Sequence, residues 1–331
     1  MKIAIIGFGS VGRGVAEVLL EKREILRKFI GNYKVVAVTD SRGGVYDEKG
    51  LDLKEILNIK RKRGSLPRQV TSMDVVRDLD FDICIEVTPT NIENGEPGLT
   101  HIRECLKRGI SVVTSNKGPL VVAFKELMDL AEKNNAKLMF EATVGGAVPV
   151  IKLAKIDLAG NEIISVKGIL NGTCNYILSR MEKELLPYEI ILEEAKELGI
   201  AETDPTYDVE GIDASAKLVI IANALMGLNA RFEDVERVGI TDLTPEAFKV
   251  ALENGYTIRL IAEATRDYLK VSPRLVPINH PLAIGGTLNA LLIETDLAGE
   301  VFVIGRGAGS RETASAIISD LICLSRSSRL S

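Results

Sequence analysis

The sequence predicts an α/β chain in two parts, a parallel sheet wrapped by helices and then a mixed α+β portion. Short apolar runs alternate with amphipathic segments through the first third, as parallel strands linked by helices require. A glycine-rich stretch directly follows the first apolar run. Near residue 145 the alternation gives way to longer helices and hairpin-like strand pairs. At 331 residues and 46% hydrophobic, the chain can bury a sizeable core, and its length suits two domains.

KIAIIGFG (2–9) reads as the first strand, and the segment after it carries Val11, Val15, Val18, Leu19, Ile25 and Phe29 at helical spacing. KVVAVTD (34–40) is the second strand. DICIEVT (82–88), ISVVTSN (110–116) and KLMFEATV (137–144) supply three more, with helices near 98–108 and 119–133 between them. In the second part EIISVKGIL reads as strand, TCNYILSRME and YEIILEEAKELG as helices, and GIDASAKLVIIANALMG as one long, mostly buried helix. YTIRLIAEATRD with YLKVSPRLVPI forms one expected hairpin, and TLNALLIETDLAGEVFVIG another. GRGAGSRETASAIISDLICLSRSSR closes the chain as a glycine-rich turn and a helix.

GFGSVG comprises Gly7, Phe8, Gly9, Ser10, Val11 and Gly12 and matches GxGxxG between a strand and a helix. The first glycine permits the tight turn, the second lets a pyrophosphate approach the backbone, and the third lets helix and strand pack closely. Alone the pattern is a glycine-rich turn. With strand, helix and second strand around it, it predicts a Rossmann-type dinucleotide site, the phosphate resting on the free N–H groups of the helix start. Asp40, ending the second strand, is placed where an acid binds both ribose hydroxyls of NAD, whereas Arg42, with Lys60 to Arg63, suits the 2′-phosphate of NADP. The two signals oppose each other, so the cofactor is read as NAD or NADP.

Composition excludes several function classes. A net charge of −5 and the absence of an extended basic surface argue against nucleic acid as a partner; the one basic cluster, KRKRG (60–64), reads as a solvated loop or a site for one phosphate. No apolar run is long enough to span a membrane, and the chain enters a strand pattern without a signal peptide, so a cytoplasmic location is expected. Cys84, Cys105, Cys174 and Cys323 lie far apart without CxxC, which indicates neither a zinc site nor a disulfide framework. The two histidines leave little scope for histidine chemistry: His101 is expected at the surface, and His280, before Pro281, as a loop-fixing residue.

TSNKGPL (114–120), FEATVGGAVPVI (140–151), LNGTCNYIL (170–178), DPTYDVEGIDASAKL (204–218) and HPLA (280–283) together closely resemble homoserine dehydrogenase, in order along nearly the whole chain. The resemblance implies NAD(P)-dependent interconversion of L-homoserine and L-aspartate 4-semialdehyde, on the route to threonine, methionine and isoleucine. It also implies a homodimer formed through the second domain. The family's proton-transfer lysine falls on Lys217, its second active-site lysine on Lys117, and its substrate carboxylates on Glu202 and Asp213, with Asp208 close to them. A sodium site is implied at the Glu141 side chain and the carbonyls of Val144, Gly146 and Val148. Thr88 and Gly309 match nucleotide contacts. The loop NIENGEPGLTH (91–101) is longer than in some relatives. Some relatives also carry an aspartate kinase in front or a regulatory domain behind. Neither pattern is seen here, so no threonine-binding module is expected. The expected division is 1–143 with 305–331 for the dinucleotide, and 144–304 for substrate binding, catalysis and dimerisation.

The chemistry agrees with these positions. Hydride addition to an aldehyde leaves an alkoxide that must be protonated, and the reverse reaction needs a base for the alcohol proton. With histidine so scarce, a lysine suits this role, provided burial or a neighbouring cation lowers its ordinary pKa of about 10.4. Asp213 and Lys217 share one face of a helix. A surface ion pair would explain that spacing, but the helix continues as LVIIANALMGL, apolar on most faces, which favours a site lining a cleft. Glu202 suits the substrate's α-ammonium group in a partly dry pocket, and Asp204-Pro205 favours a turn presenting Glu202 and Asp208. The glycines of TVGGAVP let carbonyls converge on a cation, since hard ions prefer oxygen ligands.

Overall fold

The computed structural model describes residues 1–327, which form two compact units, Met1–Gly146 with the segment from Gly309, and Ala147–Ala308. In the first unit the elements run β1 (Lys2–Ile6), α1 (Ser10–Glu21), α2 (Arg23–Ile30), β2 (Lys34–Asp40), β3 (Gly43–Tyr46), α3 (Leu53–Arg63), α4 (Ser72–Asp78), β4 (Ile83–Glu86), α5 (Gly98–Lys107), β5 (Ser111–Thr114), α6 (Lys117–Lys133) and β6 (Leu138–Met139). The sheet order is β3-β2-β1-β4-β5-β6, with β1, β2, β4, β5 and β6 parallel. The order reverses at β1, so the C-terminal ends of β1 and β4 form the crevice where open α/β sheets bind ligands.

β3, an antiparallel edge strand on β2, is an addition to the strands read from sequence. Its two glycines conceal it, because glycine lowers strand propensity. Side chains are nevertheless excluded: a Cβ on Gly43 would lie 2.6 Å from the Pro67 carbonyl oxygen, and one on Gly44 2.6 Å from the Thr39 methyl. KRKRG proves to be the last turn of α3 and its αL glycine cap, not a loop. His101 is also corrected: it is buried on α5.

The core of this unit joins Ile3, Ile5, Phe8, Leu19 and Ile85 to Ala314, Ile317 and Leu321 of α12 (Ser310–Ser327). Each fully buried Ile or Leu contributes about 1.5–3 kcal/mol, so α12 is an integral part of this layer. Its start packs directly on α1. Ser310 Oγ donates to the Ser10 carbonyl at 2.8 Å, and a Cβ on Gly14 would lie 2.3 Å from that hydroxyl.

The second unit comprises β7 (Ile163–Ile169), α7 (Gly172–Glu184), α8 (Tyr188–Glu197), α9 (Thr206–Val209), α10 (Ile212–Ile221), β8 (Val235–Arg237), α11 (Pro245–Glu253), β9 (Tyr256–Ala264), β10 (Leu269–Pro277), β11 (Leu288–Thr295) and β12 (Gly299–Arg306). Its sheet runs β12-β11-β7-β9-β10-β8, antiparallel apart from β8 with β10. Both expected hairpins are present, β9 with β10 and β11 with β12. Ile169, Ile261, Val276, Leu282, Ala290 and Leu292 form a core on one face. The long buried helix read from GIDASAKLVIIANALMG ends its α-helical part at Ile221 and widens into a π turn over Ala222–Met226. Among the described residues, no helix is long and apolar enough to cross a membrane.

Candidate active site

The glycine-rich loop leaves β1 through Gly7, whose φ of +102° favours glycine and where a Cβ would lie 2.5 Å from the Val87 carbonyl oxygen. A Cβ on Gly12 would come within 2.0 Å of the Gly7 oxygen, so the third glycine is required for the helix to start this close to the strand. Above Gly9 a Cβ would meet nothing within 4 Å. That open space lies over the start of α1, which has no side-chain cap on its first N–H groups. Those donors and that clearance fit a pyrophosphate. Phe8 faces the core and leaves only its backbone to a ligand, while Ser10 is exposed and Val11 half-buried. Gly309, with φ +128°, precedes α12; a Cβ there would lie 2.1 Å from Glu312 Oε2.

At the end of β2 the Asp40 carboxylate is fully engaged by the protein. Oδ1 accepts from the Arg42 and Gly43 amides at 2.8 and 3.0 Å, and Oδ2 from Lys60 Nζ at 2.5 Å and the Leu66 amide at 2.9 Å. Burial acts to raise its pKa, but the Lys60 bond and the backbone donors outweigh burial and leave it lowered. The acid read as a ribose ligand therefore holds the β2–β3 turn against α3. Arg42 is exposed beside it.

Thr88 and Lys117 are tied through Asn116. The Asn116 Oδ1 caps α6 by accepting from the Gly118 amide at 3.1 Å, and its Nδ2 donates to Thr88 Oγ1 at 3.2 Å and the Pro89 carbonyl at 3.3 Å. Lys117 is thus the first helical residue of α6, half-buried, at the C-terminal edge of the sheet. A Cβ on Gly118 would lie 2.1 Å from the Asn91 oxygen, which seats the 91–101 loop against this helix start. Glu141 is buried in a 3₁₀ turn, and its amide donates to Asp320 Oδ2 at 3.0 Å. Val144 is buried and Gly146 has φ +56°, whereas Val148 belongs to the second unit.

In the second unit, Gly211 at φ +74° starts α10, which places Asp213 and Lys217 one turn apart on a helix buried on every side. Lys217 Nζ donates to Asp213 Oδ2 and to the Leu170 carbonyl, each at 2.6 Å. The surface ion-pair explanation fails here, since Asp213 is 6% and Lys217 9% exposed. Asn171 completes the cluster: its Nδ2 donates to Asp208 Oδ1 at 2.7 Å and Asp213 Oδ2 at 3.0 Å, while its Oδ1 caps α7 on the Cys174 amide at 2.8 Å. Burial, and then the Asp213 charge, raise the pKa of Asp208. The Tyr207 hydroxyl is buried without a hydrogen bond among the described residues; burial drives its pKa up, followed by Asp213 and Asp208. Glu202, expected in a partly dry pocket, is exposed ahead of the turn in which Asp204 Oδ1 accepts the Thr206 amide at 3.1 Å.

Within the second unit the structure brings Asp208, Asp213 and Lys217 together; within the first it brings the glycine loop, Thr88 and Lys117 to the C-terminal edge of one sheet. Sequence reasoning missed Asn171, which was read only as part of the stretch LNGTCNYIL. An asparagine just before a helical run is an N-cap signal, and that signal was available.

Residues 7–141 match the family profile described as homoserine dehydrogenase, NAD binding domain, and residues 149–322 the profile described as homoserine dehydrogenase. The homoserine dehydrogenase of Methanocaldococcus jannaschii is 53% identical over 99% of this chain and 100% of its own. An NAD(+)-dependent homoserine dehydrogenase of Pseudomonas canavaninivorans is 38% identical over 98% of this chain and 96% of its own. A crystal structure of an Archaeoglobus fulgidus protein carrying the same family name superposes with a TM-score of 0.94 at 61% identity, covering 98% of this chain and 99% of that one. A hyperthermophilic archaeal homoserine dehydrogenase in complex with NADPH superposes at 0.84 and 32% identity, covering 97% and 96%. With both profiles matched in order and whole-length relatives well above 30% identity, this chain belongs to the homoserine dehydrogenase family.

Proposed function

We propose that the chain interconverts L-homoserine and L-aspartate 4-semialdehyde, with Lys217 moving the proton. The observation that carries this reading is the buried Asp213–Lys217 pair at 2.6 Å. An ammonium group has three donors. Two of those on Lys217 are directed to Asp213 and the Leu170 carbonyl, which fixes the third for one further acceptor. In the direction of reduction that acceptor is the aldehyde oxygen, which takes the proton as it becomes an alkoxide. In oxidation the neutral amine takes the proton of the hydroxyl.

NAD or NADP, held by Gly7 to Gly12, Thr88 and Gly309, supplies or accepts the hydride when bound. Lys117 polarises the carbonyl oxygen. Asp208, Asp213 and Glu202 bind the substrate's ammonium and hydroxyl groups, and Asn171 keeps the first two carboxylates together. A sodium ion is assigned to Glu141, Val144, Gly146 and Val148; the burial of the Glu141 carboxylate and the positive φ of Gly146 support it. A homodimer through the second unit is proposed on the family resemblance. The reaction belongs to the route toward threonine, methionine and isoleucine.

The test is nicotinamide absorbance during L-homoserine oxidation with NAD and NADP in parallel, for wild type and Lys217→Ala. Turnover that falls by about 10²–10⁴ in the variant, with the dinucleotide Kd unchanged, supports the role. Retained turnover in Lys217→Ala would sink it.

A further inference from the structure

Glu86 ends β4 with a fully buried carboxyl group, and the proposed reaction does not use it. Its Oε1 accepts from the Thr88 amide at 3.2 Å and from the Thr88 hydroxyl; its Oε2 accepts from the Thr114 hydroxyl at 3.2 Å. Thr114 Oγ1 in turn accepts from the Asn116 amide at 2.9 Å. The ends of β4 and β5 and the cap of α6 are therefore joined through one side chain. Helix α5 is shaped around it: a Cβ on Gly98 would lie 2.4 Å from Asn116 Nδ2 and 3.1 Å from Glu86 Oε2, and His101 Nδ1 sits 3.6 Å from Oε1.

These bonds settle what Thr88 can still offer. A hydroxyl has one donor and two acceptor lone pairs. The donor goes to Glu86, and one lone pair accepts Asn116 Nδ2, whose amide orientation is set because its Oδ1 is committed to the Gly118 amide. One lone pair remains, on a half-buried residue at the C-terminal edge of the sheet where a dinucleotide's reactive ring binds in this architecture. We propose that Glu86 is a positioning residue that makes the Thr88 hydroxyl acceptor-only, so that it selects the carboxamide N–H of the nicotinamide. The inference rests on dinucleotide binding by this unit and adds the group recognised and the residue that enforces it.

The test is calorimetric binding of NAD and NADP beside their 3-acetylpyridine analogues, in which a methyl ketone replaces the carboxamide and removes the N–H donor. Wild type should bind the better parent about three- to tenfold more tightly than its analogue, the worth of one hydrogen bond. Thr88→Ser should keep that ratio, and Thr88→Val should bring it near one. Glu86→Gln should also lower it, and adding Thr88→Val to Glu86→Gln should lower it no further, because Glu86 acts through Thr88. An unchanged ratio in Thr88→Val, or additive effects in the double variant, would overturn the proposal. If Glu86→Gln does not fold, the Ser and Val pair at Thr88 decides. Failure of wild type to bind either parent would instead remove the dinucleotide reading, and this inference with it.

Discussion

Asp213 Oδ2 and Lys217 Nζ lie 2.6 Å apart, one turn apart on a helix with no solvent-facing side. Removing one member of such a pair leaves an uncompensated buried charge, at a cost of about 3–5 kcal/mol. Asp213→Ala should therefore destabilise the protein by about that amount in urea unfolding. Asp213→Ala with Lys217→Met should recover much of the loss, since the stranded charge is gone, while remaining inactive. A double variant no more stable than Asp213→Ala would show that the pair is not the source of the cost.

Asn171 has two separable roles, and one substitution divides them. Serine caps helices about as well as asparagine but cannot reach two carboxylates with one NH₂ group. Asn171→Ser should keep the α7 cap, so its cost in unfolding, about 1–3 kcal/mol, comes from the two carboxylates left without the amide. It should also lose about tenfold in kcat/KM for homoserine, corresponding to about 1.4 kcal/mol. Unchanged homoserine kinetics would show that the bridge between Asp208 and Asp213 has no part in the reaction.

What could be read from the sequence divides along the same line between local and distant geometry. The roles of Gly7 and Gly12 were legible because the tight turn and close helix start are local, and α10 was legible because an apolar run on most faces of a helix excludes a surface position. Asn171 was not, because its partner Asp213 lies 42 residues away; Glu86 was not, because only the pairing of β4 with β5 sets Thr114, 28 residues on, against it and shows that its carboxyl is buried. His101 fails for a related reason, since only the packing of α5 reveals that a polar residue faces inward. Asp40 shows the opposite case. Its place at the end of β2 was read correctly, but only the fold reveals that Lys60 and three backbone amides already occupy it.

That occupation bears on cofactor choice. If Asp40 keeps its bond to Lys60 when the cofactor binds, a ribose diol would find no vacant carboxylate and a 2′-phosphate would meet a paired acid beside exposed Arg42, which would favour NADP. Lys60→Ala should shift the ratio of kcat/KM for NADP over NAD downward by about tenfold, about 1.4 kcal/mol. Parallel steady-state assays with both cofactors decide it. An unchanged or increased NADP ratio would show that Lys60 does not set the preference.

Asp208 provides a signature in stability against pH. Its carboxyl is half-buried beside Asp213, and burial, then that charge, raise its pKa above the ordinary 3.8. In the window between 3.8 and the raised native value, the native state binds more protons than the unfolded chain. Stability therefore falls as pH rises through that window, and the cost persists above it. Asp208→Asn keeps an oxygen for the Asn171 amide and cannot ionise, so it should flatten that decline. At neutral pH the variant should melt higher than wild type, yet turn over homoserine more slowly for want of the carboxylate. Thermal unfolding of both proteins across mildly acid to neutral pH measures the difference. Parallel curves would mean that Asp208 is not the group whose ionisation opposes folding.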